Sequence, residues 1–246
     1  MSTMPTALRI GSLGFDVAVL QLQLNLKGSH RPKLAVDASF GPLTQSAVVT
    51  FQRGAGLSPD GVVGALTHAA LAQGLTLSVA NHEVQHIAQP TTTTCWAAST
   101  AMMTRSSVAA VRAKTPPDMI APDGGLRNSS GNDQAVVTGR RYGAVHGLGC
   151  SPPMSWSVGA LVNALRRGPL MFDMLWKSAE YAQGQGSPGH MIVVSAVVSD
   201  NQPAGGGTFL RVLDPWPPNQ GKLGWVEYGR WMNEVPTRTY RVFARG

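Results

Sequence analysis

A short pattern of residues occurs twice in the first third of the chain. Asp37-x-x-Phe40-Gly41-x-x-Thr44 recurs as Asp60-x-x-Val63-Gly64-x-x-Thr67. Each copy is typical of a turn that leads into a helix. We therefore predict three helices: Asp16 to Leu26 with Asp16 as N-cap, Pro42 to Gln52 with Leu43, Ala47, Val48 and Phe51 on one apolar stripe, and Ala65 to Ala72. The pattern makes residues 1–78 a small helical domain, separate from residues 79–246.

Cys95 is predicted to be the first residue of a helix, in the stretch Cys-Trp-Ala-Ala-Ser-Thr-Ala-Met-Met. A helix N-terminus carries partial positive charge and unpaired backbone N–H groups, which favour a thiolate over a thiol. Thr93 or Thr94 is a suitable N-cap. Cys95 is therefore a candidate nucleophile. The alternative is a small buried apolar residue, which is the common fate of a free cysteine.

Two downstream segments offer the base and the orienting acid that a thiolate nucleophile needs. His190 precedes the apolar run 191–198, which predicts a buried strand entered from a turn. Asp214 ends the strand-like run 209–213 and is followed by Pro215. If the two strands are adjacent, His190 and Asp214 come together. Taken singly, each residue has an ordinary explanation as a satisfied histidine and a turn-starting aspartate.

Gln89, the Cys95-Trp-Ala-Ala helix start, Gly-His190 and Asp214-Pro together resemble the papain-like cysteine peptidases. The similarity is to the branch that contains bacteriocin-processing peptidases and injected effector proteases. It covers about residues 80–246 and implies an α+β domain in which the catalytic helix packs on an antiparallel sheet. It also implies that Gln89 donates to the oxyanion, Cys95 attacks the carbonyl carbon, His190 moves the proton and Asp214 fixes the imidazole tautomer. These roles require no cofactor and no metal.

A rival motif lies just upstream, since His82-Glu-Val-Gln-His86 matches the H-E-x-x-H pattern of zinc peptidases. That pattern needs both histidines on one helix face, with Glu83 as the general base. Pro90 follows too soon for a long helix, and no third ligand stands nearby. These features argue against a zinc site, and the resemblance to papain-like peptidases implies that the segment is an extended lead-in to Gln89.

The remaining elements of the second domain follow from periodicity. Ser157 is predicted to cap a helix, and strands are predicted at 170–175, 191–198, 209–213 and 239–243. The six tryptophans are expected in the core and the cleft walls: Trp96, Trp156, Trp176, Trp216, Trp225 and Trp231. Cys150 is expected to be an unpaired, partly buried thiol, because a disulfide with Cys95 would inactivate the nucleophile.

The first domain resembles the three-helix peptidoglycan-binding domains that accompany bacterial cell-wall hydrolases. The matching positions are Gly11, Gly14, Asp16, Leu20-Gln21, Phe40-Gly41, Phe51-Gln52, and Leu57 with Asp60 to Gly64. Two positions depart from the pattern, because Ala38 replaces the usual glycine and His68 replaces a common tryptophan. The resemblance implies wall binding. The alternative is a docking or solubility unit.

Charge and hydropathy exclude several classes of function. The chain has 246 residues, a net charge of +7 and 13% charged residues. Its basic residues form no dense run, so nucleic-acid binding is not expected. No apolar stretch is long enough to span a membrane, and no secretory signal pattern opens the chain.

Two enzyme functions remain open, together with a non-catalytic interaction protein. The first is an endopeptidase that cleaves a target protein, which the Cys95, His190 and Asp214 set favours. The second is a peptidoglycan stem-peptide amidase, which the first domain favours. A wall-binding module without a signal leads to the hypothesis of an antibacterial toxin, made in the cytoplasm and exported by a specialised machine such as a type VI secretion system. A cognate immunity protein and a secretion-apparatus partner are the expected partners besides substrate.

Overall fold

The computed structural model of the chain describes residues 7–127, 132–152, 154–175, 189–234 and 241–246. The first domain contains the helices α1 (Phe15–Leu26), α2 (Pro42–Gly54) and α3 (Ala65–Ala72). All three predicted helices are therefore present, but two details of the prediction were wrong. The N-cap of α1 is Gly14, so Asp16 lies within the first turn. Leu43 is 66% exposed and does not belong to the buried stripe of α2.

The repeated pattern corresponds to a repeated hydrogen-bond arrangement around two buried glutamines. Gln21 Nε2 lies 2.7 Å from Asp37 Oδ1, and its Oε1 accepts from the backbone N–H of Ala38 at 3.0 Å. Gln52 Nε2 lies 2.9 Å from Asp60 Oδ1, and its Oε1 accepts from the N–H of Gly61 at 2.9 Å. Each turn is thus held by a glutamine of the preceding helix, which satisfies polar groups that burial would otherwise leave unpaired.

The second domain is α+β. Its elements are β1 (Ser78–Asn81), α4 (Cys95–Thr104), α5 (Val108–Lys114), a 3₁₀ turn (Pro117–Met119), α6 (Asn132–His146), β2 (Leu148–Cys150), α7 (Val158–Arg167), β3 (Leu170–Leu175), β4 (Gly189–Ser199), β5 (Thr208–Asp214), β6 (Lys222–Glu227), α8 (Tyr228–Glu234) and β7 (Arg241–Arg245). The strand predicted at 170–175 has the predicted ends, and those of the next two strands shift by one or two residues. The predicted first residues of the last strand, 239 and 240, lie outside the described residues. Ser157 caps α7 as predicted, because its side chain accepts from the N–H of Ala160.

All strand pairs of the described sheet are antiparallel, in the order β2-β7-β3-β4-β5-β6 with β1 also paired to β4. Helix α4 covers one face, where Trp96 and Met103 pack against Met191 and Val193 of β4. Helix α7 covers the other face, where Leu161 packs in one cluster with the alternate residues of the same strand. β4 is consequently buried on both sides, which explains its nearly continuous apolar sequence.

The two domains are packed directly against each other. Ala18 and Leu22 of α1 and Ala38 of the following turn form a buried apolar cluster with Val198 of β4, and Trp225 of β6 packs against it. Burial of this surface ties the position of the first domain to the sheet. Val198 lies eight residues along β4 from His190, so the packed cluster is about 27 Å from the mouth of that strand at about 3.4 Å per residue.

Ala38 explains one departure from the peptidoglycan-binding pattern. Its backbone has φ 63, a left-handed conformation that favours glycine, and the equivalent Gly61 has φ 73. The alanine methyl is buried in the cluster between the domains. The methyl group of Ala38, which glycine would lack, therefore helps the first domain to pack against the second domain. None of the helices among the described residues is long and apolar enough to cross a membrane.

Candidate active site

Cys95 is the first residue of α4, as predicted. Thr94 is the N-cap, but its hydroxyl caps no helix N–H. The Thr94 Oγ1 instead contacts the hydroxyl of Thr91 at 3.0 Å and accepts from the Thr91 backbone N–H at 3.1 Å. The backbone N–H of Cys95 has no acceptor among the described residues. This leaves a donor at the positive end of the helix, directly beside the thiol.

His190 and Asp214 are brought together by the pairing of β4 with β5. Because the two strands are antiparallel, the start of β4 lies beside the end of β5. His190 Nε2 is 2.7 Å from Asp214 Oδ1. The same carboxylate oxygen accepts from the backbone N–H of Trp216 at 2.9 Å. The sequence prediction that adjacent strands would join these two residues is therefore matched by the geometry.

The environment of His190 favours the charged imidazolium. Burial is the largest influence and lowers the pKa of His190, since its side chain is almost fully enclosed. Hydrogen bonds to Asp214 and to the Cys95 side chain act in the opposite direction and raise the pKa to about 9. At neutral pH the ring is therefore protonated between a carboxylate and a thiol. That arrangement suits a thiolate–imidazolium pair.

Gln89 is fully buried and held by backbone contacts on both sides. Its N–H donates to the carbonyl of Pro215 at 2.9 Å, and its carbonyl accepts from the N–H of Asn219 at 2.8 Å. Its side-chain Nε2 donates to the carbonyl of Thr91 at 2.6 Å, which fixes which amide atom is nitrogen. An amide nitrogen carries two hydrogens, and the contact with Thr91 uses one of them. The Oε1 is buried without a partner among the described residues.

The sequence predicts a loop after the helix that begins at Cys95, but it did not indicate that residues 123–125 of this loop contact the start of that helix. Trp96 Nε1 donates to the carbonyl of Gly124 at 3.0 Å, and the Thr93 hydroxyl donates to the carbonyl of Asp123 at 2.7 Å. The Asp-Gly-Gly turn at 123–125 was the available signal, but a turn motif alone does not reveal which helix it packs against. Trp96 thus joins the loop to α4 and is buried, whereas Trp176 lies outside the described residues.

The H-E-x-x-H segment does not have the geometry of a zinc site. Residues 82–90 contain no helix, so the two histidines do not share a helix face. His82 Nε2 contacts the carbonyl of Leu165, and His86 Nε2 lies 2.8 Å from the carbonyl of Asp214. The part of the chain described here contains no group of three residues placed to hold a metal ion. The segment is not helical, as the early Pro90 predicted.

Both cysteines are free thiols. Cys150 ends β2 and is half-buried, and burial raises the pKa of its thiol to about 11. It is therefore mostly protonated at neutral pH, which makes it a weak nucleophile. Cys95 differs in that it faces the charged ring of His190.

Comparison with known proteins agrees with this architecture. The family described as "Putative peptidoglycan binding domain" matches residues 14–71, and the family described as "Papain-like cysteine protease AvrRpt2" matches residues 78–230. A "Probable N-acetylmuramoyl-L-alanine amidase" of Bacillus licheniformis is 41% identical over 64 residues, which are 26% of this chain and 18% of that protein. The chain thus spans less than a fifth of this curated relative.

Two solved structures share parts of the sequence. The N-terminal domain of SleB is 35% identical to this chain over the matched part. The match covers 28% of this chain and 90% of the SleB domain, with a TM-score of 0.26. An endolysin of Burkholderia AP3 phage is 29% identical over the matched part. That match covers 47% of this chain and 42% of the endolysin chain, also with a TM-score of 0.26. A peptidoglycan-binding domain precedes the protease domain. Because the match over residues 78–230 covers more than half of the chain, the chain belongs to the family described as "Papain-like cysteine protease AvrRpt2".

Proposed function

We propose that the chain hydrolyses amide bonds through a Cys95–His190–Asp214 triad, with Gln89 as an oxyanion donor. The observation that carries this proposal is the position of the buried His190 ring, which contacts the Asp214 carboxylate at 2.7 Å and also hydrogen-bonds the Cys95 side chain. Activation of a thiol requires a base that contacts the nucleophile and an acid that orients the base. Neither cofactor nor metal takes part in the proposed steps.

The reaction proceeds in two stages. The Cys95 thiolate adds to the amide carbonyl, and the oxyanion is held by the free N–H of Gln89 and the backbone N–H of Cys95. The His190 imidazolium then donates its proton to the departing amine, so that the C–N bond breaks and a thioester remains. The neutral ring next takes a proton from water, and the resulting hydroxide attacks the thioester. Collapse of that intermediate releases the carboxylic acid and regenerates the ion pair.

We propose a protein as the substrate. The support is the match of residues 78–230 to a family described as a protease. Peptidoglycan stem peptides are the second candidate, and a specific observation favours them. The wall-binding type of domain is packed on the protease sheet through Ala38 and Val198, so a bound wall would stay at a fixed distance from Cys95. The curated amidase relative points the same way, although the match spans only a small part of it.

Delivery into a competing bacterium, through a type VI secretion system and with an immunity protein in the producer, remains a prediction. A pull-down of the full chain from the producing cell tests it, with mass spectrometry of the retained proteins. Recovery of a secretion-apparatus component and of a neighbouring inhibitor supports the prediction. Retention of neither, with active protein confined to the producer's cytoplasm, contradicts it.

The test of the proposed function is growth of a bacterial host that expresses the chain, once in the cytoplasm and once with an added periplasmic signal. Wild type is compared with Cys95→Ala, and Cys150→Ala is the matched control for loss of a thiol. Killing that depends on Cys95 in the cytoplasm supports a protein target. Killing only from the periplasm supports the wall, and muropeptide analysis then locates the cleaved bond. Equal growth of all three strains in both compartments counts against an enzyme.

A further inference from the structure

We propose that His86 is a positioning residue, which holds Asp214 in place so that its carboxylate can orient His190. This inference rests on the proposed function and adds a role for a residue of the H-E-x-x-H segment that the triad does not use. The imidazole of His86 does not contact the thiol or the proposed oxyanion site. It acts through the backbone of the residue that contacts His190.

The contact is direct and its direction is fixed. His86 Nε2 lies 2.8 Å from the backbone carbonyl of Asp214. A carbonyl oxygen only accepts, so the ring nitrogen carries the hydrogen and donates it. The carboxylate of the same residue contacts His190 at 2.7 Å. Asp214 is the last residue of β5, where it pairs with Lys222 of β6 but lies one residue beyond the last pair with β4, at Leu213. The bond from His86 adds a restraint on the backbone of Asp214.

The same lead-in segment also fixes the oxyanion side of the site. Three residues beyond His86, Gln89 donates its backbone N–H to the carbonyl of Pro215 at 2.9 Å. Its own carbonyl accepts from the N–H of Asn219 at 2.8 Å. Residues 86–89 and residues 214–219 therefore form one hydrogen-bonded unit, which couples the proposed oxyanion donor to the acid of the triad. A shift of one side would move the other.

Gly221 leaves the space that the His86 ring occupies. Its backbone has φ 63, and a Cβ built there would lie 2.2 Å from His86 Cε1 and 2.9 Å from the carbonyl oxygen of Asp214. Any side chain at this position would collide with the imidazole at the point where it meets Asp214. The glycine is thus required both by its backbone conformation and by this close approach.

His82 provides a matched control from the same segment. It stands four residues before His86, and its Nε2 likewise contacts a backbone carbonyl, that of Leu165 in α7. It is half-buried like His86. The carbonyl that His82 contacts belongs to α7, on the opposite side of the sheet from α4. Replacement of His82 therefore removes a similar hydrogen bond without changing a contact of Asp214.

The experiment compares purified His86→Phe, His86→Gln and His82→Phe with wild type, using labelled casein as the hydrolysis probe and iodoacetamide as the thiol probe. Phenylalanine keeps the ring and removes the donor, whereas glutamine restores a donor at the position of Nε2. We expect His86→Phe to lower kcat about 10- to 100-fold with a smaller change in KM, as for other small misplacements of a catalytic group. We expect His86→Gln to recover most of the loss and His82→Phe to change kcat less than about threefold.

The pH profile separates positioning from general destabilisation. The charged or titratable groups that face His190 are Cys95 of α4, Asp214 of β5 and Asp173 of β3. Because the bond to Asp214 raises the pKa of His190, a displaced Asp214 lowers it. The alkaline limb of kcat/KM in His86→Phe should therefore move to lower pH by about one unit, and alkylation of Cys95 at neutral pH should slow. His82→Phe should leave both unchanged.

Gly221→Ala tests the same contact without changing the histidine. Gly147→Ala is its control, because Gly147 has φ 70 but nothing within 4 Å of a Cβ. We expect the alkaline limb to shift only in Gly221→Ala. If His86→Phe does not fold, as seen by thermal melting, Gly221→Ala and His86→Gln decide the question.

The two kinds of failure are distinguishable. If His86→Phe and His82→Phe lose activity equally and with unchanged pH profiles, the positioning role is wrong while Cys95-dependent activity stands. If wild type and Cys95→Ala hydrolyse casein and react with iodoacetamide alike, the proposed function itself fails.

Discussion

Replacement of Asp214 by asparagine removes the charge that faces His190 while it keeps the shape of the side chain. In the folded wild type the pKa of His190 is raised from 6.5 to about 9, although burial alone lowers it. A pKa change of this size corresponds to about 3 kcal/mol of folding free energy, at about 1.4 kcal/mol for each tenfold change. His190 is 5% exposed, so solvent screening of the contact is slight.

The sign of the pH dependence follows from the raised pKa. The folded state holds the His190 proton more tightly than the unfolded state, so the stabilisation is fully present below about pH 6.5 and is lost as pH rises through about 9. In Asp214→Asn the part of this stabilisation that comes from the carboxylate is absent, whereas the part that comes from Cys95 remains. We therefore expect the stability difference between wild type and variant to be largest near pH 6, at up to about 3 kcal/mol, and to shrink toward zero near pH 9.5.

Urea unfolding of both proteins near pH 6 and near pH 9.5 measures this difference, and NMR of the His190 ring proton gives its pKa directly. The variant should bring the titration of His190 down by more than one pH unit, since burial remains and the main opposing contact is gone. A stability difference that is the same at both pH values, or a His190 pKa that does not change, would refute the reasoning.

Three further predictions concern the fold. Gln21→Ala and Gln52→Ala should each cost about 2–4 kcal/mol in urea unfolding, and by similar amounts, because each removes the same buried set of hydrogen bonds; a difference above about 2 kcal/mol would contradict the structural repeat. Arg241→Met should cost about 3–5 kcal/mol, because it leaves the buried Asp173 carboxylate without its ion-pair partner; Asp173→Leu added to it should recover most of the loss, and no recovery would be the contrary result. Val198→Asp should separate the packing of the two domains and add a second, lower-temperature transition in calorimetry; a single unchanged transition would count against direct packing.

The parts of the structure that the sequence predicted are those with local signals. Ala65–Ala72 and Leu170–Leu175 match the predicted ends because caps, turns and periodicity lie within a few residues of each other. The approach of His190 to Asp214 was also predictable, since it needed only that two successive strands pair. The N-cap of α1 was mistaken because Asp16 and Gly14 are both common near helix starts, and the choice depends on backbone conformation.

The remaining features depend on contacts between distant segments. His86 contacts Asp214, which lies 128 residues later in the sequence. No sequence pattern near His86 predicts that its ring packs against Gly221. The same holds for the bond from Trp96 to Gly124, which holds a loop against the start of α4. Ala38 looked like a weakened family position when read alone. The structure shows that its methyl group is buried where the two domains pack together.

The most direct test of the central claim is the rate at which iodoacetamide modifies each cysteine, read by peptide mass spectrometry between about pH 5 and pH 9 in wild type and His190→Ala. We expect rapid modification of Cys95 near neutral pH, slow modification of Cys150, and a large loss of Cys95 reactivity in His190→Ala. If Cys95 reacts no faster than Cys150, and His190→Ala changes neither rate, Cys95 is not an activated nucleophile and the proposed mechanism is wrong.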